Sequence, residues 1–220
     1  MKFKDSYYWF LILIPASFII WFFINKHDDK PLRTLPYFGK KNTIKANDTV
    51  YHTVKSFYFI NQFNEKVTEE TTKNKIYVTD FFFTTCQSIC PIMSNQLERV
   101  YKEFKNNNDI LILSHTVEPE IDSVAVLKHY ADLHEVDNKN WLFLTGEKKD
   151  IYNMARESYL LNNEVGNGDE NDFIHTQNFA LVDKEKHLRG FYDGTDSADV
   201  TRLIIDIKLL LNEYDYSKKP

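Results

Sequence analysis

The chain begins with an almost unbroken apolar run over residues 7–24, interrupted only by Pro15 and Ser17. As a helix this run rises about 27 Å, close to the hydrocarbon thickness of a bilayer. Tyr7, Tyr8 and Trp9 at one end and Trp21 at the other match interfacial aromatic belts. The run is long for a signal-peptide core, and Trp21 to His27 offers no small-residue cleavage site. An uncleaved single-pass transmembrane anchor is therefore expected over residues 1–25, with a short charged head at 1–6. A charged, proline-bearing stretch follows and reads as a linker over 26–49.

From residue 50 the pattern changes to short apolar and alternating segments separated by turn residues. Residues 50–60 and 66–68 flank a turn at 61–65 and predict an N-terminal hairpin. Residues 76–83, β-branched and aromatic throughout, predict a buried strand. Met93, Leu97, Val100, Tyr101 and Phe104 recur at helical spacing, so a helix is expected over 91–104, begun by Pro91, which has no N–H to lose. Strands are predicted at 110–116, 141–144, 179–182 and 188–192, and helices at 123–133, 148–158 and 197–214. The last presents Val200, Leu203, Ile204, Ile207, Leu210 and Leu211 on one face. Strand and helix alternate before a closing hairpin and helix, which is the thioredoxin order of an α/β fold. One domain over 50–215 with a short tail at 216–220 follows from this pattern.

The net charge of −5 with interspersed signs gives no basic stripe of the kind nucleic acid requires. Chemistry concentrates at the two cysteines, Cys86 and Cys90, between the predicted strand and helix. A helix N-terminus favours thiolate over thiol, so both sulfurs are expected to be reactive. The pair admits three readings: a structural staple, a redox-active dithiol, or part of a metal site. Two cysteines cannot complete a tetrahedral structural zinc site. Two thiolates with one imidazole suit copper. Among the seven histidines, His27, His52, His129, His134 and His187 fall in ordinary surface or core contexts. His115 ends an apolar run and can share the cysteines' sheet edge. His175 stands at the end of a polar loop directly before a predicted strand, well placed to reach a site.

Five segments together resemble the Sco/SenC copper proteins. They are Asp80 to Pro91 around the cysteines, Thr116 to Asp122, Trp141 to Gly146, Phe173 to Thr176, and Arg189 to Thr195. The resemblance implies a thioredoxin-like fold, a central mixed sheet flanked by helices, and Cys86, Cys90 and His175 as ligands to one copper ion. It also implies a role in assembling the dinuclear copper site of cytochrome c oxidase subunit II, by delivering copper or by keeping that site's cysteines reduced. A thiol reductant is a second implied partner. Lysines and an arginine flank the apolar run on both sides, so charge does not fix orientation. The resemblance places the domain on the periplasmic or other extracytoplasmic side of the cell inner membrane. Asp80 and Asp172 are candidates to orient the histidine, since metal-bound imidazoles usually donate their other N–H. From a different class, the alternative is a metal-independent thiol–disulfide oxidoreductase in which Cys86 attacks and Cys90 resolves. A peroxidase fits less well, because Phe83 stands where its hydroxyl residue belongs.

Overall fold

The computed structural model describes residues 33–45, 48–136, 139–161 and 176–217. The expected anchor at 1–25, the start of the expected linker, and Asp172 and His175 lie outside the described residues. Among those described, no helix is long and apolar enough to cross a membrane.

Seven strands form one mixed sheet in the order β4-β3-β7-β6-β5-β8-β9. At its centre β5 (Ile76–Phe82), β6 (Ile110–Thr116) and β7 (Trp141–Thr145) run parallel. Every residue of β5 and β6 is buried, because helices or loops cover both faces. The N-terminal hairpin, β3 (Tyr58–Asn61) and β4 (Lys66–Thr68), adds antiparallel to β7. The closing hairpin, β8 (Asn178–Val182) and β9 (Leu188–Asp193), adds antiparallel to β5.

Even-numbered residues of β5, such as Val78 and Phe82, point into a core shared with α1 (Cys90–Phe104), α2 (Val124–Leu133) and α4 (Ser197–Ser217). Odd-numbered ones, Tyr77 and Phe81, point into a second core. It is closed by α3 (Lys148–Asn153), its π-helical continuation Met154–Ser158, and the chain leading into β3. This is the expected thioredoxin-like arrangement.

Two differences from the sequence reading stand out. The strand expected from residue 50 is regular only from Tyr58; before it, Thr53 makes one bridge to His187 while Val54 and Phe57 pack into the second core. The stretch expected as a linker is in part structured. Its residues form β1 (Asn42–Lys45) paired with β2 (Asp48–Val50), and Leu35 is buried in the first core. Arg189 holds this segment: Nη2 donates to the Leu35 carbonyl (2.8 Å) and Nε to that of Pro36 (3.2 Å), while the guanidinium lies over the Tyr37 ring.

Candidate metal centre

The parallel strand β5 delivers the chain to the carboxyl edge of the sheet, and α1 carries it back across one face. Cys86 sits on the connecting loop, half-buried. Cys90 is the first residue of the helix and is buried, so only one of the two sulfurs lies on a loop. Pro91 follows in the first turn of α1, and no side chain caps the helix at Ile89. Both thiols are free.

The two differ in electrostatics. Burial works to raise the Cys86 thiol, but hydrogen bonds from the Cys90 thiol and N–H and from Ser88 outweigh it and bring Cys86 down to about 7. Ser88 Oγ lies 3.6 Å from the sulfur. Cys90 goes the other way, pushed up to about 12 by burial, by the same hydrogen bond to Cys86 and by nearby negative charge including Asp80. The helix N-terminus alone predicts two thiolates. The packing instead gives one thiolate that a neighbouring thiol solvates. Iodoacetamide on the reduced, metal-free protein is therefore expected to modify Cys86 at a rate rising through about pH 7, leaving Cys90 unlabelled at about pH 8. Peptide mass spectrometry showing equal labelling would contradict this asymmetry.

Beneath the pair, Asp80 is buried and accepts a hydrogen bond from Ser114 Oγ (2.5 Å), which in turn accepts from Trp141 Nε1 (2.9 Å). Burial pushes Asp80 up to about 7. The loop before Cys86 is stitched to the β6–α2 connection. Thr84 N–H donates to Asp122 Oδ2 (3.2 Å), the Thr84 hydroxyl donates to Asp122 Oδ1, and the Thr85 hydroxyl donates to Glu118 Oε2 (3.1 Å). Sequence reasoning assigned no role to these residues. The readable signal was the Thr84-Thr85 pair abutting Cys86, but its partners are more than thirty residues away.

His115 is not at the cysteines. It is fully buried in β6 on the opposite face of the sheet, stacked on Phe81 (centroids 5.0 Å) with Nδ1 3.2 Å from Thr79 Oγ1. Burial pulls it down to about 4, so it stays neutral there. His134 pairs with Glu98 (2.9 Å), and His52 Nε2 contacts the Ser158 carbonyl (2.8 Å). His187 lies beside Asp183 and Glu185 at the far end of the sheet, where Arg189 already occupies the Asp183 carboxylate (2.9 Å). The described chain resumes at Thr176, directly after His175. Thr176, Gln177 and Asn178 line a cavity of about 360 Å³ together with Leu161 and Ile89, the residue before Cys90.

The SCO1/SenC family model matches residues 45–211. The SCO1 protein homolog of Bacillus subtilis is 32% identical over 166 residues, 74% of this chain and 86% of that protein. Among solved structures, BsSco, a member of the Sco family of cytochrome c oxidase assembly proteins in which a disulfide switch was identified, superposes with a TM-score of 0.62 at 29% identity. That match covers 78% of this chain and 98% of BsSco. Copper-bound ScoI of Arabidopsis thaliana gives 0.57 at 25% identity, over 72% and 98%. A family match across most of the chain, carried on a thioredoxin-like sheet with a paired thiol and thiolate at its carboxyl edge, means that this chain belongs to the SCO1/SenC family.

Proposed function

We propose that this protein is a membrane-anchored copper-binding metallochaperone that helps assemble the dinuclear copper site of cytochrome c oxidase subunit II. Cys86, Cys90 and His175 are the residues assigned to hold copper. The observation that carries this reading is the free Cys86–Cys90 pair, one sulfur lowered toward thiolate, at the edge of the sheet. Two soft sulfurs suit Cu(I), and an imidazole adds the borderline donor that Cu(II) prefers. Support for His175 comes from its neighbour Thr176, which shares a cavity wall with Ile89 beside Cys90. Relatives add support: the Arabidopsis thaliana ScoI structure is copper-bound and BsSco belongs to a family of cytochrome c oxidase assembly proteins. The apolar run at 7–24 is the basis for a single-pass anchor in the inner membrane with residues 50–215 as an extracytoplasmic domain.

The protein supplies binding and orientation. Cys90, fixed at the first turn of α1, and Cys86, held by its loop, present two sulfurs together. Oxidation to a disulfide removes both donors, so metal affinity follows the redox state of the pair. A thiol reductant is therefore part of the proposed cycle.

The test is a copper titration of the reduced full-length protein in detergent, beside its His175→Ala variant. The expected result is one Cu(II) per chain with an intense sulfur-to-copper visible band. That band should vanish in the variant, while Cu(I) affinity falls far less. Equal losses of Cu(I) and Cu(II) would argue against this division of labour. The thiol asymmetry favours a second reading as well, a thiol–disulfide oxidoreductase with Cys86 attacking and Cys90 resolving. No visible band, with disulfide exchange indifferent to His175, would favour it.

A further inference from the structure

We propose that Asp122 is the positioning residue of the Cys86–Cys90 pair, acting through Thr84 to hold Cys86 in register with Cys90. The proposal rests on the reading of these two cysteines as the working pair.

The carboxyl of Asp122 is fully buried, and both of its oxygens are used. Oδ2 accepts from Thr84 N–H (3.2 Å) and from the Thr116 hydroxyl, and Oδ1 accepts from the Thr84 hydroxyl. Burying a carboxyl is costly unless its hydrogen bonds are made, and here most of them go to the loop before Cys86 rather than to the segment carrying Asp122. That segment has its own order. Asp122 N–H and Ile121 N–H both donate to the Glu118 carbonyl, and Ser123 Oγ caps α2. The Val117 N–H donates to the Phe82 carbonyl (2.8 Å), so the β6–α2 connection forms a template along which the chain from Phe82 to Thr85 is laid.

Past Thr85 the hydrogen bonds of Cys86 turn local, to Phe83, Ser88 and Cys90, while its side chain packs against the first core. Cys90 is fixed by α1. The long-range hydrogen bonds that place the loop before Cys86 thus converge on Thr84 and Thr85, two of the three on Asp122. Two thiols join in one disulfide only when their Cα atoms lie within a narrow range of separations and orientations. A loop free to sample more positions presents a lower effective concentration of one thiol to the other.

The experiment is equilibration of the metal-free full-length protein in detergent with glutathione buffers, scored by thiol alkylation. One oxidised glutathione converts the dithiol to the Cys86–Cys90 disulfide and is itself reduced to two glutathione thiols. Thr84→Val and Asp122→Asn are expected to shift this equilibrium about tenfold toward the dithiol, about 30 mV for a two-electron couple. Thr84→Ser should restore it. Thr116→Val takes a bond from the same carboxyl and the acceptor of the Glu118 N–H, but no bond of Thr84, and should stay within about twofold. If Asp122→Asn fails to fold, the Thr84 variants decide. An unshifted Thr84→Val, an unrestored Thr84→Ser, or an equal shift in Thr116→Val would overturn the proposal. No copper is present, so failure here leaves the copper reading standing, and a chain that binds no copper can still show the shift.

Discussion

Serine in place of Cys86 or Cys90 is expected to lower copper affinity by more than about 100-fold, the upper end of what loss of a mere outer-shell partner costs a metal site. A hydroxyl is a hard donor that stays protonated at neutral pH, whereas Cu(I) selects soft, ionised sulfur. The two changes should reach this result by different routes. In Cys86→Ser the sulfur already lowered to about 7 is gone, and the one that remains is held up chiefly by its own burial. In Cys90→Ser the accessible sulfur remains, but the thiol and buried position that complete the pair are lost. Competition against a Cu(I) chelator, on reduced full-length protein in detergent, measures both. Affinity within about tenfold of the parent in either variant would remove that cysteine from the site. The oxidised parent, its sulfurs joined, should bind no better than either variant.

The largest expected effect on stability lies at the other end of the sheet. Arg189 is 3% exposed and pairs with Asp183 (2.9 Å), which is fully buried, and with Glu213 (3.0 Å). Removing one partner of a buried ion pair leaves an uncompensated charge and typically costs about 3–5 kcal/mol. Arg189→Ala also strands the Leu35 and Pro36 carbonyls and uncovers the Tyr37 ring. A urea unfolding midpoint lowered accordingly is the expected result. A loss below about 1 kcal/mol would mean that Asp183 is adequately held by its backbone donors, the N–H groups of Glu185 and His187.

Much of the frame was legible because buried elements leave dense signals. The β5 run Ile76–Phe82 is apolar or β-branched at nearly every position, and α1 repeats its core residues at helical spacing, so both were read to within a residue. The pairing of residues 42–50 was missed because this polar stretch lacks the alternation of a half-buried strand. Leu35 could not be recognised as a core residue, since the core that buries it and the Arg189 guanidinium that holds its carbonyl come from distant parts of the chain. At the site, the cysteines announced themselves by spacing, but their opposite ionisation did not. That difference depends on which sulfur the fold buries and which it surrounds with donors. For His115, never among the assigned ligands, the edge of the sheet was readable and the face was not. Its position at the end of a strand was right, but period-two alternation sends it to the opposite face from Cys90.

The docking of Leu35 to Phe38 on Arg189 and Leu188 has a mechanical consequence. Leu188 pairs with Val182, and Val182 with Tyr77, so the chain from the proposed anchor attaches at the pole where β5 begins. The cysteines sit at the pole where β5 ends. Seven residues of strand put about 20 Å of rigid sheet between the two. The residues from Ile24 to Arg33 span at most about 30 Å. With the proposed anchor in a bilayer, the tether would join the domain at the pole away from the thiols, so tether and sheet together would bound how far from the lipid the thiols can reach. An acceptor in the same membrane would then have to hold its metal site within that reach.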